Sequence, residues 1–169
     1  MNNLKYLSVD ELRANLLSVN NISIDDTAKI CQLRLGGTNF LVSTTLVTFN
    51  WTISDIINPN YFINNGTNIT ILKNGYYRVK GYATLEAINN SANLTMFLDK
   101  NGILAPSFAV SGNVKGNISQ INDFYSVNAT YIFNCVAGDL ISCKCISQSN
   151  IIIITNASVF FIEYLGNQF

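Results

Sequence analysis

Histidine is absent from this 169-residue sequence, and that absence removes several chemistries. Ser-His-Asp and Cys-His nucleophilic arrangements need an imidazole base. The commonest general base, a frequent metal ligand and the one side chain that switches charge near neutral pH go with it. Charge is scarce as well. Only 12% of residues are charged, and ten basic side chains balance ten acidic ones to a formal net charge of zero. Phosphate backbones are held by clustered Lys and Arg; no such cluster occurs, so a nucleic-acid partner is not expected. No apolar run approaches the ~20 residues of a membrane-spanning helix. "IIIIT" at 151–155 is far too short, so no membrane partner is expected. There is no Gly-rich phosphate loop either: Gly36-Gly37 reads as a junction between an arm and a strand. No cofactor is expected.

What chemistry remains is thin. The carboxylates are Asp10, Glu11, Asp25, Asp26, Asp55, Glu86, Asp99, Asp123, Asp139 and Glu163. Most fall where turns are expected, and Asp supports turn geometry. Asp25-Asp26 reads as a helix start rather than a metal pair. Two carboxylates would suffice for a glycosidase, but nothing marks any pair, and the chain reads as non-enzymatic. Cys31, Cys135, Cys143 and Cys145 read as reduced thiols, with Cys143 and Cys145 two apart on one strand face as small core residues. A Cys135–Cys143 bridge across a hairpin is the alternative. Without further Cys or His pairs a zinc site is not expected. The aromatics Trp51, Tyr61, Phe62, Tyr76, Tyr82, Phe108, Phe124 and Tyr125 suit a sandwich core or an interface. A glycan-binding surface is the competing reading.

Nearly half of the residues, 49%, are hydrophobic. A chain so apolar, with few charges and no net charge, is prone to associate. Asn and Ile are abundant, as in proteins of AT-rich genomes. Nine Asn-x-Ser/Thr sequons, at Asn21, Asn50, Asn65, Asn68, Asn89, Asn93, Asn117, Asn128 and Asn156, follow from that composition. The opening "MNNLKYLSVDELRANLL" lacks the basic and apolar regions of a signal peptide, so glycosylation is not expected.

The chain divides into an N-terminal arm, 1–38, and a head domain, 39–169. In the arm, Ser8 and Glu11 form a capping-box pattern, and Leu12, Leu16 and Leu17 predict a short amphipathic helix over about 8–19. "SIDDTAKICQLRL" predicts a further turn of helix or an extended arm. From Asn39 the pattern is β. In "GYYRVKGYATLEA", residues 75–87, Tyr77, Val79, Gly81, Ala83 and Leu85 alternate with Tyr76, Arg78, Lys80, Tyr82 and Thr84, which is strand periodicity. Asn-Gly at 74–75 and 101–102, and Ala-Gly-Asp at 137–139, mark turns. "NIIIIT-NAS-VFFIEYL" predicts a last pair of strands, apolar on both faces. Doubly apolar strands need cover on both sides, from the arm or from another copy. With no helix between strands, the prediction is an all-β antiparallel jelly-roll sandwich of about ten strands.

"ITILKNGYYRVKGYATL" resembles a segment of the tumour-necrosis-factor and complement globular-head superfamily, in which Gly opens a strand and a Tyr two residues later fills the sandwich. Gly75 and Tyr77 hold those places, after Ile69 and Ile71. "FNCVAGDLISCKC" resembles the family's Gly-Asp turn through Gly138 and Asp139. "ASVFFIEYLG" resembles the terminal strand, although Ile162 or Glu163 stands where the family has glycine. The resemblance spans roughly 40–169. It implies a homotrimer in which the sheet holding these two strands faces the three-fold axis, with Tyr76, Tyr82, Phe160, Ile162 and Tyr164 as trimer-interface residues. Such heads occur in phage fibres and capsid decorations, spore-surface filaments and secreted proteins. No collagen-like stalk precedes this one. The expectation is a virion structural protein: a phage head fibre or capsid decoration, made in the host cytoplasm and docking on the capsid through Leu12, Leu16 and Leu17 of the arm. The alternatives are a fibre tip that binds a receptor or host surface glycan, and a bacterial surface or spore-coat head.

Overall fold

The alternation in residues 75–87 becomes a 13-residue strand, and the fold is built around it. The computed structural model describes residues 29–37, 39–87, 91–92, 94–105, 110–111, 116–117, 124–147 and 151–168. The predicted helix over 8–19 lies outside them. Among the described residues the structure is all β. In chain order the strands are β1 (Ile30–Arg34), β2 (Phe40–Val42), β3 (Val47–Thr48), β4 (Ile53–Ile57), β5 (Phe62–Asn64), β6 (Ile69–Ile71), β7 (Gly75–Ala87) and β8 (Ser91–Ala92). They continue as β9 (Leu94–Lys100), β10 (Ile103–Leu104), β11 (Val110–Ser111), β12 (Gly116–Asn117), β13 (Phe124–Cys135), β14 (Leu140–Ser147) and β15 (Ile151–Gly166).

Two antiparallel sheets face each other. One has seven strands, ordered β11-β13-β7-β15-β1-β4, with β2 also paired to β15; the other has six, ordered β10-β9-β14-β6-β5, with β3 also paired to β14. A separate small pair joins β12 to β8. This is the predicted jelly-roll sandwich. Tyr77, Val79, Ala83 and Leu85 of β7 are fully buried between the sheets. Gly81 lies among them because a Cβ there would come within 2.9 Å of both Cys143 Sγ and Met96 Sδ of the opposite sheet. Trp51 stacks on Phe160 with ring centroids 5.2 Å apart. Phe62 meets the edge of Tyr77 at 5.9 Å, and the Tyr77 hydroxyl donates to the Lys73 carbonyl at 2.7 Å.

Two of the three turns singled out in the sequence are corners between sheets, not hairpins. Asn74-Gly75 leads from β6 in one sheet to β7 in the other, and Val136–Asp139 leads from β13 to β14. The two corners touch: the Asn74 side chain accepts the Ala137 amide at 2.8 Å. The Gly138 amide donates to Ile71 O at 2.8 Å, and the Ile71 amide to Asp139 O at 2.9 Å. The Asp139 carboxylate accepts the Val136 amide within its own turn. The Asn101-Gly102 turn does form a hairpin, pairing β9 with β10.

Two elements differ from the sequence prediction. Residues 30–34, placed in the arm, form β1 inside the seven-stranded sheet, paired with β15 on one side and β4 on the other. Cys31, Leu33 and Leu35 point into the core; the period-two pattern of "ICQLRL" outweighs any helical continuation. Residues 151–166 form one long strand, not a pair. Asn156-Ala157-Ser158 sits in a bulge between Ile154, opposite Thr84, and Val159, opposite Tyr82. The bulge is held because the Thr84 amide donates to Ser158 Oγ at 3.1 Å and Thr84 Oγ1 to the Ala157 carbonyl at 3.1 Å.

Candidate functional site: the outer face of the seven-stranded sheet

Directly opposed residues in antiparallel strands share a face, so the pairing registers give rows across the outer surface of this sheet. One row runs Ile56, Gln32, Phe161, Lys80, Thr130; the next runs Ile53, Arg34, Val159, Tyr82, Asn128. A third holds Ile30, Glu163, Arg78 and Ile132. Ile53, Ile56 and Tyr82 are 39%, 41% and 42% exposed, and Val159 and Phe161 are half-buried. Apolar side chains thus recur along two adjacent rows, with nothing of this chain's described residues lying over Tyr82, Ile53 or Ile56.

Both arginines among them are paired with carboxylates of the same chain. Arg34 forks onto Asp55, with Nε at 2.8 Å from both carboxylate oxygens and Nη2 at 2.6 Å from Oδ1. That hydrogen bond lowers the Asp55 pKa. Arg78 pairs with Glu163 across strands at 2.8 Å, and the Lys80 ammonium sits 5.9 Å from the Phe161 ring centroid. On the β13 flank the face continues at Ile132 into an apolar cleft of about 520 Å³ that also contains Tyr76, Tyr131, Ile103 and Leu104. Ile103 is 74% exposed.

The structure divides the residues expected at a subunit interface. Tyr76 and Tyr82 lie on the outer side. Phe160 and Ile162 do not: both are fully buried between the sheets, and Ile162 packs inward at one of the two places weighed for the family's glycine. Tyr164 turns inward too, with its ring 5.0 Å from Tyr61 and 5.1 Å from Tyr77. The outward-facing parity of β15 is therefore Val159, Phe161 and Glu163. Leu12, Leu16 and Leu17 lie outside the described residues. Of the aromatics weighed for a glycan surface, Trp51, Tyr61 and Phe62 are core residues.

The thiols take no part in a surface. Cys31, Cys135, Cys143 and Cys145 are free and buried, so Cys135 and Cys143 are not bridged. Burial pushes Cys31, Cys135 and Cys145 up to about 12 and raises Cys143 well above the ordinary thiol value. Such thiols stay protonated and inert. Among the described residues no three His, Cys, Asp or Glu side chains group as metal ligands. No helix among them is long and apolar enough to cross a membrane.

The fold finds counterparts in solved structures. The chain superposes on murine APRIL at pH 5.0 with a TM-score of 0.56 and 10% identity, covering 80% of this chain and 98% of that one. This is a TNF/C1q-like jelly roll. The globular domain of zebrafish complement 1qA protein gives 0.57 at 9% identity, covering 82% and 98%, and Eiger TNF from S. frugiperda gives 0.52 at 9%, covering 83% and 94%. No protein-family model matches the sequence, and no curated protein does. Likeness at this identity is likeness of fold. Within the TNF/C1q-like frame, the Gly75–Tyr77 strand and the terminal strand are neighbours at the centre of the seven-stranded sheet, and the face described above is that sheet's outer surface.

Proposed function

We propose that this protein is a non-enzymatic structural head that assembles as a homotrimer through the outer face of its seven-stranded sheet, and that it serves as a phage head-fibre or capsid-decoration protein anchored through its N-terminal segment. The observation that carries the first half is the pair of uncovered apolar rows, Ile56–Phe161 and Ile53–Val159–Tyr82, on a chain with no net charge. Large apolar side chains left exposed on one sheet face, set among polar ones, suit an interaction site, and neutrality leaves no long-range repulsion between copies. The TNF/C1q-like fold supports a three-fold arrangement, since the superfamily it resembles uses this sheet at its axis. The AT-rich composition and the short amphipathic pattern of Leu12, Leu16 and Leu17 favour the virion role, with a capsid protein as the docking partner.

Light scattering of the purified chain at micromolar concentration tests the assembly; a mass of three chains is expected, and a monomer would overturn it. Mass spectrometry and cryo-microscopy of purified particles test the location. Three-fold density on the capsid supports the role, and absence from the particle sinks it while leaving the assembly standing.

A further inference from the structure

The outer face of the six-stranded sheet carries a polar cleft that self-assembly through the opposite sheet does not use. It encloses about 310 Å³ between the Asn65–Asn68 turn and the Asn101-Gly102 turn. Its floor is Asp99, Ser142 and Lys144, and Thr48, Thr67 and Asn68 stand on its walls. The floor is set by pairing: Ser142 lies opposite Asp99, and Lys144 opposite Thr48. The side chains of Asp99 and Lys144 are only 4% and 19% exposed.

The floor is only partly spent on the fold. The Asp99 carboxylate is fully engaged: it accepts the Ser142 hydroxyl at 2.9 Å, the Gly102 amide at 3.3 Å and the Lys144 ammonium. Asn101 is spent as well, on Asp139 and the Leu140 amide. These bonds secure the β9–β10 turn and explain Asp99. They do not explain why a lysine, strongly hydrated and costly to desolvate, is laid into the cleft. Lys144 uses one N–H on Asp99 and has two left. Asn68 uses its carbonyl on Asn65, which leaves its NH₂ group open. The Thr48 and Thr67 hydroxyls have no partner among the described residues. The unspent groups are four convergent hydrogen-bonding side chains around one concavity, mostly donors.

Charge decides the ligand class. The ammonium is already neutralised by Asp99, so an anion gains no net field and must approach a carboxylate, while a cation meets the ammonium. An apolar molecule would strand the donors. A neutral ligand bearing several hydroxyl or ring oxygens satisfies them, since each hydroxyl both accepts and donates. The volume is at the lower end of the ~300–1,000 Å³ of small-molecule sites and suits one ring. We propose that this cleft binds a neutral sugar unit, as a free glycoside or as one residue of a glycan.

Saturation-transfer NMR of the full chain against methyl glycosides of neutral hexoses, N-acetylhexosamines and deoxyhexoses tests this, with glucuronate and inorganic phosphate as charged comparators. At least one neutral glycoside is expected to bind in the millimolar range, as befits one ring in an open cleft. Asn68→Leu removes an open donor at the rim, and Thr48→Trp fills the cleft; each should weaken binding at least about tenfold. Both sites are half-buried at the surface; Asn68→Leu also loses the bond its carbonyl accepts from Asn65, so thermal unfolding of each variant must show a cooperative transition well above the binding temperature. Ile63→Thr, away from the cleft, should bind as wild type. Failure of every neutral glycoside to bind at about 50 mM, binding only by glucuronate or phosphate, or binding unchanged in both cleft variants would each overturn the assignment.

Discussion

Gly75 shows how one residue can carry two constraints. Its φ is +145°, and a Cβ there would come within 2.5 Å of the Tyr164 ring and 2.6 Å of the Gly166 carbonyl oxygen. Gly75→Ala should cost at least about 2 kcal/mol, from backbone strain and overpacking together. Gly102 separates the two effects: its φ is +83° but nothing lies within 4 Å of a Cβ. Gly102→Ala should cost about 1 kcal/mol, from the backbone alone. Urea unfolding of both variants checks the order, and equal losses would show that space at Gly75 is irrelevant. Asp139 makes a prediction in pH. Burial pushes its pKa up, but hydrogen bonds from Asn101 and the Val136 amide and the charge of Lys100 outweigh it, and the net shift is downward. A lowered folded pKa contributes stability in full above the unfolded value of about 3.9, and loses it as pH falls through the folded value. The stability gap between wild type and Asp139→Asn should therefore be constant from pH 7 to about 5 and narrow below about pH 4. A gap that does not narrow in acid would contradict this. Single residues were legible in the sequence where one face differed from the other. The inward set Tyr77 to Leu85 could be read because Arg78 and Lys80 mark the opposite side. Phe160 and Ile162, expected at a subunit interface, lie in the core instead; the sequence hides this, because Val159 and Phe161 are equally apolar and give no parity.

Among the elements, β1 is the one whose role changes most between sequence and structure. Its inward residues Cys31 and Leu33 are fully buried and Leu35 is 2% exposed. The strand bridges β15 to β4, and the Tyr164 amide donates to Lys29 O at 2.8 Å. Removing even one buried Leu commonly costs about 2–5 kcal/mol, against a total stability of about 5–15 kcal/mol. Deleting residues 1–35 should therefore abolish folding, whereas deleting 1–28 should leave a head with cooperative thermal unfolding. Circular dichroism melts of the two truncations decide it, and a folded 36–169 fragment would mean that β1 is an accessory. The alternation of "ICQLRL" is present in the sequence, but it follows directly on the polar "SIDDTAK" with no turn signal to mark where a strand begins. The bulge in β15 was hidden for a different reason. Asn-Ala-Ser has the composition of a turn, and only the placement of Ser158 Oγ against the Thr84 amide, a contact 74 residues apart in sequence, keeps the strand running. The polar cleft draws its lining from four separate segments, so no local pattern announced it.

At the scale of the whole molecule, the balance is between apolar surface and charge. Ten cations meet ten anions, and on the outer face Arg34 pairs with Asp55 and Arg78 with Glu163 within the chain, with Lys80 set beside the Phe161 ring. Association through this face would then draw on burial of Ile53, Ile56, Val159, Phe161 and Tyr82 rather than on attraction between opposite charges. Salt screens exposed charges over a Debye length of about 10 Å at 0.1 M, but leaves apolar burial intact. The assembly should accordingly survive a rise to 1 M NaCl with little change in its dissociation constant, as sedimentation equilibrium would show. Tyr82→Asp should have the opposite profile. Tyr82 is 42% exposed in the single chain and lies outside the core, so the isolated head should fold as before. In the assembly, a carboxylate at this position would be desolvated between Val159 and Asn128, with Arg34 already held by Asp55, at a cost of several kcal/mol. A weakening of at least about hundredfold follows, since each 1.4 kcal/mol is tenfold in affinity. Phe161→Asp should weaken the assembly less, because Lys80 lies directly opposite it and can pair with the new carboxylate. An undisturbed trimer in both variants would move the interface to another surface of the jelly roll; a salt-labile wild-type trimer would mean that charge, not apolar area, holds the copies together.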